Sequence, residues 1–160
     1  MSTSPQLTGY PFNTTPRRPT VKQTVRLDAL RKVGLFKGLS KRSLVRIDQV
    51  SDVRSARAGD ILVAQGETGS EMMVVLSGTA VVRRGNRKVG EIGVGESFGE
   101  MALLDRQTRS ATVTATGPME LLVIDGRAFR KLLTKVPGLT DSLLATLSVR
   151  LREAHAAAEI

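Results

Sequence analysis

Residues 95–113 read Gly95-Glu96-Ser97-Phe98-Gly99-Glu100-Met101-Ala102-Leu103-Leu104-Asp105-Arg106-Gln107-Thr108-Arg109-Ser110-Ala111-Thr112-Val113, and the rest of the chain is organised around them. Gly99 has no Cβ, so the backbone there can approach a ligand closely and take φ > 0 without steric cost. Glu100 to Leu104 are good helix formers. The stretch predicts a turn of helix opening at Gly99, whose first N–H groups have no acceptor within the turn and suit an anion. The Glu100 carboxylate would repel a phosphate at that place. It is therefore expected to face another part of the ligand, a sugar hydroxyl that donates to it. Arg109 supplies the compensating charge, because its planar fork grips a phosphate through two N–H bonds at once. Ser110 adds a hydroxyl donor. The polar connector Asp105-Arg106-Gln107-Thr108 lets Arg109 fold back over the helix terminus.

The flanking sequence changes character twice. Residues 1–23 hold Pro5, Pro11, Pro16 and Pro19 among polar residues, which predicts a disordered basic extension. Val25, Leu27, Leu30 and Val33 predict a short amphipathic helix, and Ser40 reads as the N-cap of a second one carrying Leu44, Ile47 and Val50. From about residue 51 to 124, glycines recur between short β-rich runs at 61–63, 72–76, 79–82, 88–92, 112–115 and 121–124. Many short strands at such spacing indicate an all-β sandwich or barrel. Gly85-Asn86 reads as a hairpin tip, flanked by Arg83, Arg84, Arg87 and Lys88 and expected to be solvated. Asp125 can cap a helix over about 125–136, which Pro137-Gly138 ends. A last helix over about 140–158 carries Leu144, Leu147, Leu151, Ala154 and Ala158 at steps of three and four. That stripe suits packing on its own strands or the seam of a homodimer.

Composition removes several functions. The chain has 160 residues, no Cys and a single His. Thiolate metal sites, Cys nucleophiles, multi-histidine metal centres and a Ser-His-Asp set near the strands are all excluded, so a binding module is expected and not an enzyme. No cofactor and no metal are expected. No apolar run approaches the roughly 18 residues of a membrane span, and no signal peptide is visible, so a cytoplasmic protein is expected. The net charge of +9 sits in the first third of the chain, where ten basic residues up to Arg46 face the one acid Asp28. From Ile47 onward the signs balance. The basic third could meet nucleic acid, an anionic membrane or an acidic partner, but a solvated tail kept for solubility is the expected reading.

The joint pattern Phe98-Gly99-Glu100, Ala102-Leu103 and Arg109-Ser110-Ala111-Thr112 resembles the phosphate-binding cassette of the cyclic nucleotide-binding domain family, which includes the catabolite activator protein and the regulatory subunits of protein kinase A. The resemblance runs from about Leu27 to Arg152. It implies a mainly β fold, an eight-stranded jelly-roll-like β-roll with N-terminal helices and two C-terminal helices, forming one domain over 24–160. It further implies that Glu100 binds the ribose 2′-hydroxyl and Arg109 the cyclic phosphate. Phe98, Gly99, Glu100, Met101, Ala102, Arg109, Ser110 and Ala111 become the expected ligand-binding residues. The expected ligand is cyclic AMP, with cyclic GMP as the other candidate. The Ser110 hydroxyl leans towards the former, since many members selective for cyclic GMP carry Thr there. The resemblance also implies that the last helix moves over the bound base as a lid, relaying occupancy to an effector that the sequence does not identify. No helix-turn-helix follows before Ile160, so DNA binding is not expected.

Overall fold

The computed structural model describes residues 21–103 and 108–158. The expected extension over residues 1–23 lies, up to residue 20, outside the described residues, as does most of the connector after Leu103.

Two helices open the described chain, α1 (Gln23–Lys32) and α2 (Lys41–Gln49), joined through a 3₁₀ turn at Gly34–Phe36. The Ser40 hydroxyl accepts the Ser43 N–H at 3.1 Å, satisfying a donor that the first turn of α2 leaves open. Eight strands follow: β1 (Asp52–Ala56), β2 (Ile61–Val63), β3 (Glu71–Ser77), β4 (Ala80–Arg84), β5 (Arg87–Ile92), β6 (Ser97–Phe98), β7 (Thr112–Ala115) and β8 (Met119–Asp125). The Asp125 carboxylate then accepts the Ala128 N–H at 2.8 Å and starts α3 (Gly126–Lys135). After Pro137-Gly138 follows α4 (Leu139–Ala158), the last described element.

The strands form two four-stranded sheets, ordered β1-β8-β3-β6 and β2-β7-β4-β5. Every pairing between named strands is antiparallel. This is the expected roll. Between the sheets lie Leu62, Met73, Val75, Val113, Leu121 and Val123. A second core covers the outer face of the first sheet, where Leu30, Phe36, Leu44, Ile47 and Phe129 from the helices meet Met72, Val74, Leu122 and Ile124. Strands β3 and β8 therefore bury both faces. That explains their continuous apolar runs, where a half-solvated strand would alternate.

Two strands fall where no β-rich run marks them. β1 reads Asp-Val-Arg-Ser-Ala, with only Val53 and Ala56 buried. It forms because β8 offers it an edge, pairing Val53 with Leu122 and Ala56 with Met119. β6 is two residues paired to Met73 and Val74. The helical faces also differ in detail from expectation. Val25 and Val50 are exposed, because each sits at a helix end beyond the reach of the core. On α4 the stripe is split: Leu144 and Leu151 are 60% and 71% exposed, while Leu147 turns inward. The face turned to the protein carries Leu143, Thr146 and Leu147, all half-buried.

Candidate functional site

The cassette sits at an unfilled end of the roll. Gly99 takes φ +86, a left-handed conformation that glycine adopts freely, and turns β6 into a short 3₁₀ helix at Glu100–Leu103. The Ala102 N–H closes that turn on the Gly99 carbonyl at 3.0 Å. Leu103 is fully buried and anchors it. The turn opens at the expected residue and is of the tight 3₁₀ kind.

Arg109 lies against this turn. Its backbone is held on both sides, its N–H donating to the Glu67 carbonyl at 2.8 Å and its carbonyl accepting the Gly66 N–H at 2.9 Å. Thr108 bridges to Thr68 beside it. The guanidinium passes between two glycines. A Cβ on Gly69 would lie 2.5 Å from Nη2, and one on Gly99 would lie 2.8 Å from Nη1. Nη2 donates to the Glu71 carbonyl at 3.0 Å. The Glu71 side chain, nearly buried, is in turn paired with Arg54 at 3.3 Å. Arg109 is thus positioned by backbone, glycine gaps and a supporting carbonyl, which fixes the direction of its fork.

These parts enclose a cavity of about 380 Å³. Phe98, Gly99, Glu100, Ala102, Arg109, Ser110 and Ala111 all line it, so seven of the eight expected residues come together. The side chain of Met101 lies outside the described residues. The opposite wall is apolar, formed by Val63 of β2, Val82 of β4, Ile92 of β5 and Val113 of β7. The cavity suits a flat, partly apolar ligand carrying an anionic group at the Arg109 end.

Two charged lining residues escaped the sequence argument. Arg84 ends β4 and donates from Nε to the Ser110 carbonyl at 3.3 Å. Arg150 comes from α4, and its Nη2 lies 3.0 Å from Glu100 Oε2. The Glu100 carboxylate is thereby partnered by the last helix. The spacing of α4 held a hint of this, since Arg150 falls three residues after Leu147 on the inward face. Nothing local to Arg84 distinguished it from its solvated neighbours. Among the described residues there is no cluster of His, Asp and Glu able to hold a metal ion, and no helix long and apolar enough to cross a membrane.

Residues 53–136 match the family described as the cyclic nucleotide-binding domain. The chain is 34% identical over 121 residues to a cAMP-dependent protein kinase regulatory subunit from Mycosarcoma maydis, covering 70% of this chain and 23% of that protein. It is 33% identical over 109 residues to a cGMP-dependent protein kinase from Caenorhabditis elegans, covering 68% of this chain and 14% of that protein. Among solved structures, the catabolite activator protein of Thermus thermophilus is similar at a TM-score of 0.70 and 31% identity, over 79% of this chain and 62% of that one. The chain therefore spans less than a quarter of either kinase-related relative.

Proposed function

Because this chain belongs to the cyclic nucleotide-binding domain family, we propose that it is a receptor for a purine cyclic monophosphate and that α4 relays occupancy of its cavity. The observation that carries the reading is the convergence of Arg109 and Glu100 on one cavity with an apolar wall. Arg109 receives the cyclic phosphate, Glu100 accepts from the ribose 2′-hydroxyl, and the base lies on the valine and isoleucine wall. Cyclic AMP is the first candidate and cyclic GMP the second, and the M. maydis and C. elegans relatives carry both nucleotides in their names. The role is regulatory binding, with no chemistry on the ligand.

The Arg150–Glu100 contact supports the relay. A ribose hydroxyl that takes Glu100 displaces Arg150, and the outer half of α4 is released or re-docks. A ligand shifts such an equilibrium only by its difference in affinity for the two arrangements. The exposed Leu144 and Leu151 give α4 a surface for a second copy of this chain or for the effector.

Calorimetric titration with cyclic AMP and cyclic GMP, run beside Arg109→Ala, tests the reading. Charge-assisted hydrogen bonds contribute roughly 1.5–3 kcal/mol each. Loss of two of them from Arg109 is expected to weaken binding by about a hundredfold or more, with the circular dichroism spectrum unchanged. Equal binding by Arg109→Ala and the unsubstituted chain overturns the assignment. Hydrogen exchange over residues 125–158, with and without nucleotide, tests the relay, and identical protection in both states leaves a passive binder.

A further inference from the structure

We propose that Arg84 reads the base of the bound nucleotide and gives the cavity an affinity for guanine. The inference rests on the cyclic-nucleotide reading above and names the residue that decides between its two candidate ligands.

The alternation of β4 places Val82 and Arg84 on the cavity, while Val81 and Arg83 are absent from its lining. Arg84 therefore continues the apolar wall on which the base lies and ends it with a cation. Its backbone is tied down although the hairpin tip is exposed. The next residue, Gly85, donates its N–H to Gln65 Oε1 at 2.7 Å. Gln65 in turn donates its own N–H to Thr112 Oγ1 at 2.9 Å. Thr112 is the register partner of Arg83. The guanidinium is steered by its Nε donation to the Ser110 carbonyl. With Nε engaged, the two Nη groups remain as a pair of parallel donors.

The charges around the cavity point the same way. Among the described residues, its charged lining residues are Arg84, Glu100, Arg109 and Arg150. Arg150 and Glu100 pair with each other, and Arg109 answers the single negative charge of a cyclic phosphate. Arg84 brings a further cation to the end of the apolar wall on which the base lies. A ligand group that suits it offers two adjacent acceptors without a full charge. Guanine does so with O6 and N7, the edge to which arginine binds with both arms. Adenine sets the N6 amino donor beside N7, which meets the guanidinium donor to donor.

The test is titration of the full chain, Arg84→Ala and Arg84→Lys with cyclic GMP, cyclic IMP and cyclic AMP. Cyclic IMP keeps O6 and N7 and lacks the 2-amino group, so it isolates the edge in question. Arg84→Ala is expected to weaken cyclic GMP and cyclic IMP alike, by roughly five- to a hundredfold for a lost two-armed contact, and cyclic AMP by less than about threefold, the scale of a lost surface charge. Arg84→Lys keeps the charge but not the fork and is expected to lose the same selectivity. Equal losses for all three nucleotides would show a charge acting on the phosphate and overturn the proposal, as would no loss for any. A loss confined to cyclic GMP moves the contact to the 2-amino group and overturns it too. If the unsubstituted chain binds none of the three, the cyclic-nucleotide reading itself falls, an outcome distinct from every result for Arg84.

Discussion

Among the described residues, two arginine–carboxylate pairs tie helices into this molecule, and they are built differently. Arg26 of α1 grips Asp48 of α2 with two contacts, 2.6 and 2.9 Å, and their side chains are 15% and 4% exposed. Arg26 also donates to the Val21 carbonyl. The hydrogen bond to Asp48 holds the Arg26 guanidinium above even its usual high pKa. Arg150 of α4 meets Glu100 at 3.0 Å, with side chains 45% and 22% exposed. A buried pair cannot be opened without stranding a charge away from water. An exposed one exchanges its partner for water or a ligand hydroxyl at small cost. The first therefore makes α1 and α2 a fixed base behind the roll. The second leaves the outer half of α4 in a contact that occupancy of the cavity can change.

The largest expected effect tests the fixed half of that contrast. Asp48→Ala leaves Arg26 inside without its carboxylate, and breaking a buried pair in this way costs about 3–5 kcal/mol. For a chain of this size that corresponds to a fall in Tm of roughly 6–20 °C. Nucleotide affinity of the folded protein is expected to stay within about twofold, since neither residue lines the cavity. Thermal denaturation and calorimetry read the two quantities separately. A fall of less than about 1 kcal/mol, the range of a surface pair, would erase the distinction between the pairs.

The same contrast explains what the sequence made legible. The cassette is local: Gly99, Glu100 and Ala102 are contiguous, and Arg109 follows close behind on the next strand's approach. Ser40 and Asp125 announce their helices because an N-cap bonds the backbone only three residues away. β1 was hidden because its pattern is imposed by β8, some 65 residues later in the chain. Arg150 was hidden for a related reason. Its partner lies on another element, and of the leucine stripe that draws notice on α4, Leu144 and Leu151 face outward and only Leu147 shares the inward face. Arg84 was hidden by company, since it is exposed like Arg83, Arg87 and Lys88, and only strand alternation turns it to the cavity.

A smaller effect is expected at the movable pair. Arg150→Ala removes an exposed contact and should cost less than about 1 kcal/mol of stability. Its signature is dynamic. Amides over 147–156 are expected to exchange faster in the free protein, approaching the rates that the unsubstituted chain shows with nucleotide bound. Raising the salt to 1 M, where screening acts over about 3 Å, should move the unsubstituted chain in the same direction. If Arg150→Ala leaves exchange in α4 untouched while nucleotide still alters it, the coupling runs through the inward face of α4 at Leu143 and Leu147, and the pair is incidental.

The smallest effect belongs to a third pair, exposed on both sides. Lys88 approaches Glu91 at 2.7 Å on β5, with side chains 50% and 66% exposed. The hydrogen bond from Lys88, with its charge, holds the Glu91 carboxyl below its ordinary value of 4.5. A carboxyl with a lowered folded-state pKa stabilises the fold above its unfolded value, and that stabilisation is lost as pH falls through the folded value. The contribution is thus complete at pH 6 and disappears in acid below about 4.5. Lys88→Ala is expected to return the Glu91 titration, followed by carboxyl NMR, to the ordinary range. It should also flatten the acid limb of stability slightly, in step with that titration. Nucleotide affinity should not follow, because Glu91 and Lys88 do not line the cavity although Ile92 of the same strand does. A Glu91 titration that ignores Lys88 would mean that solvent screens even this short contact, and the graded series from Asp48 to Glu91 would reduce to buried against exposed.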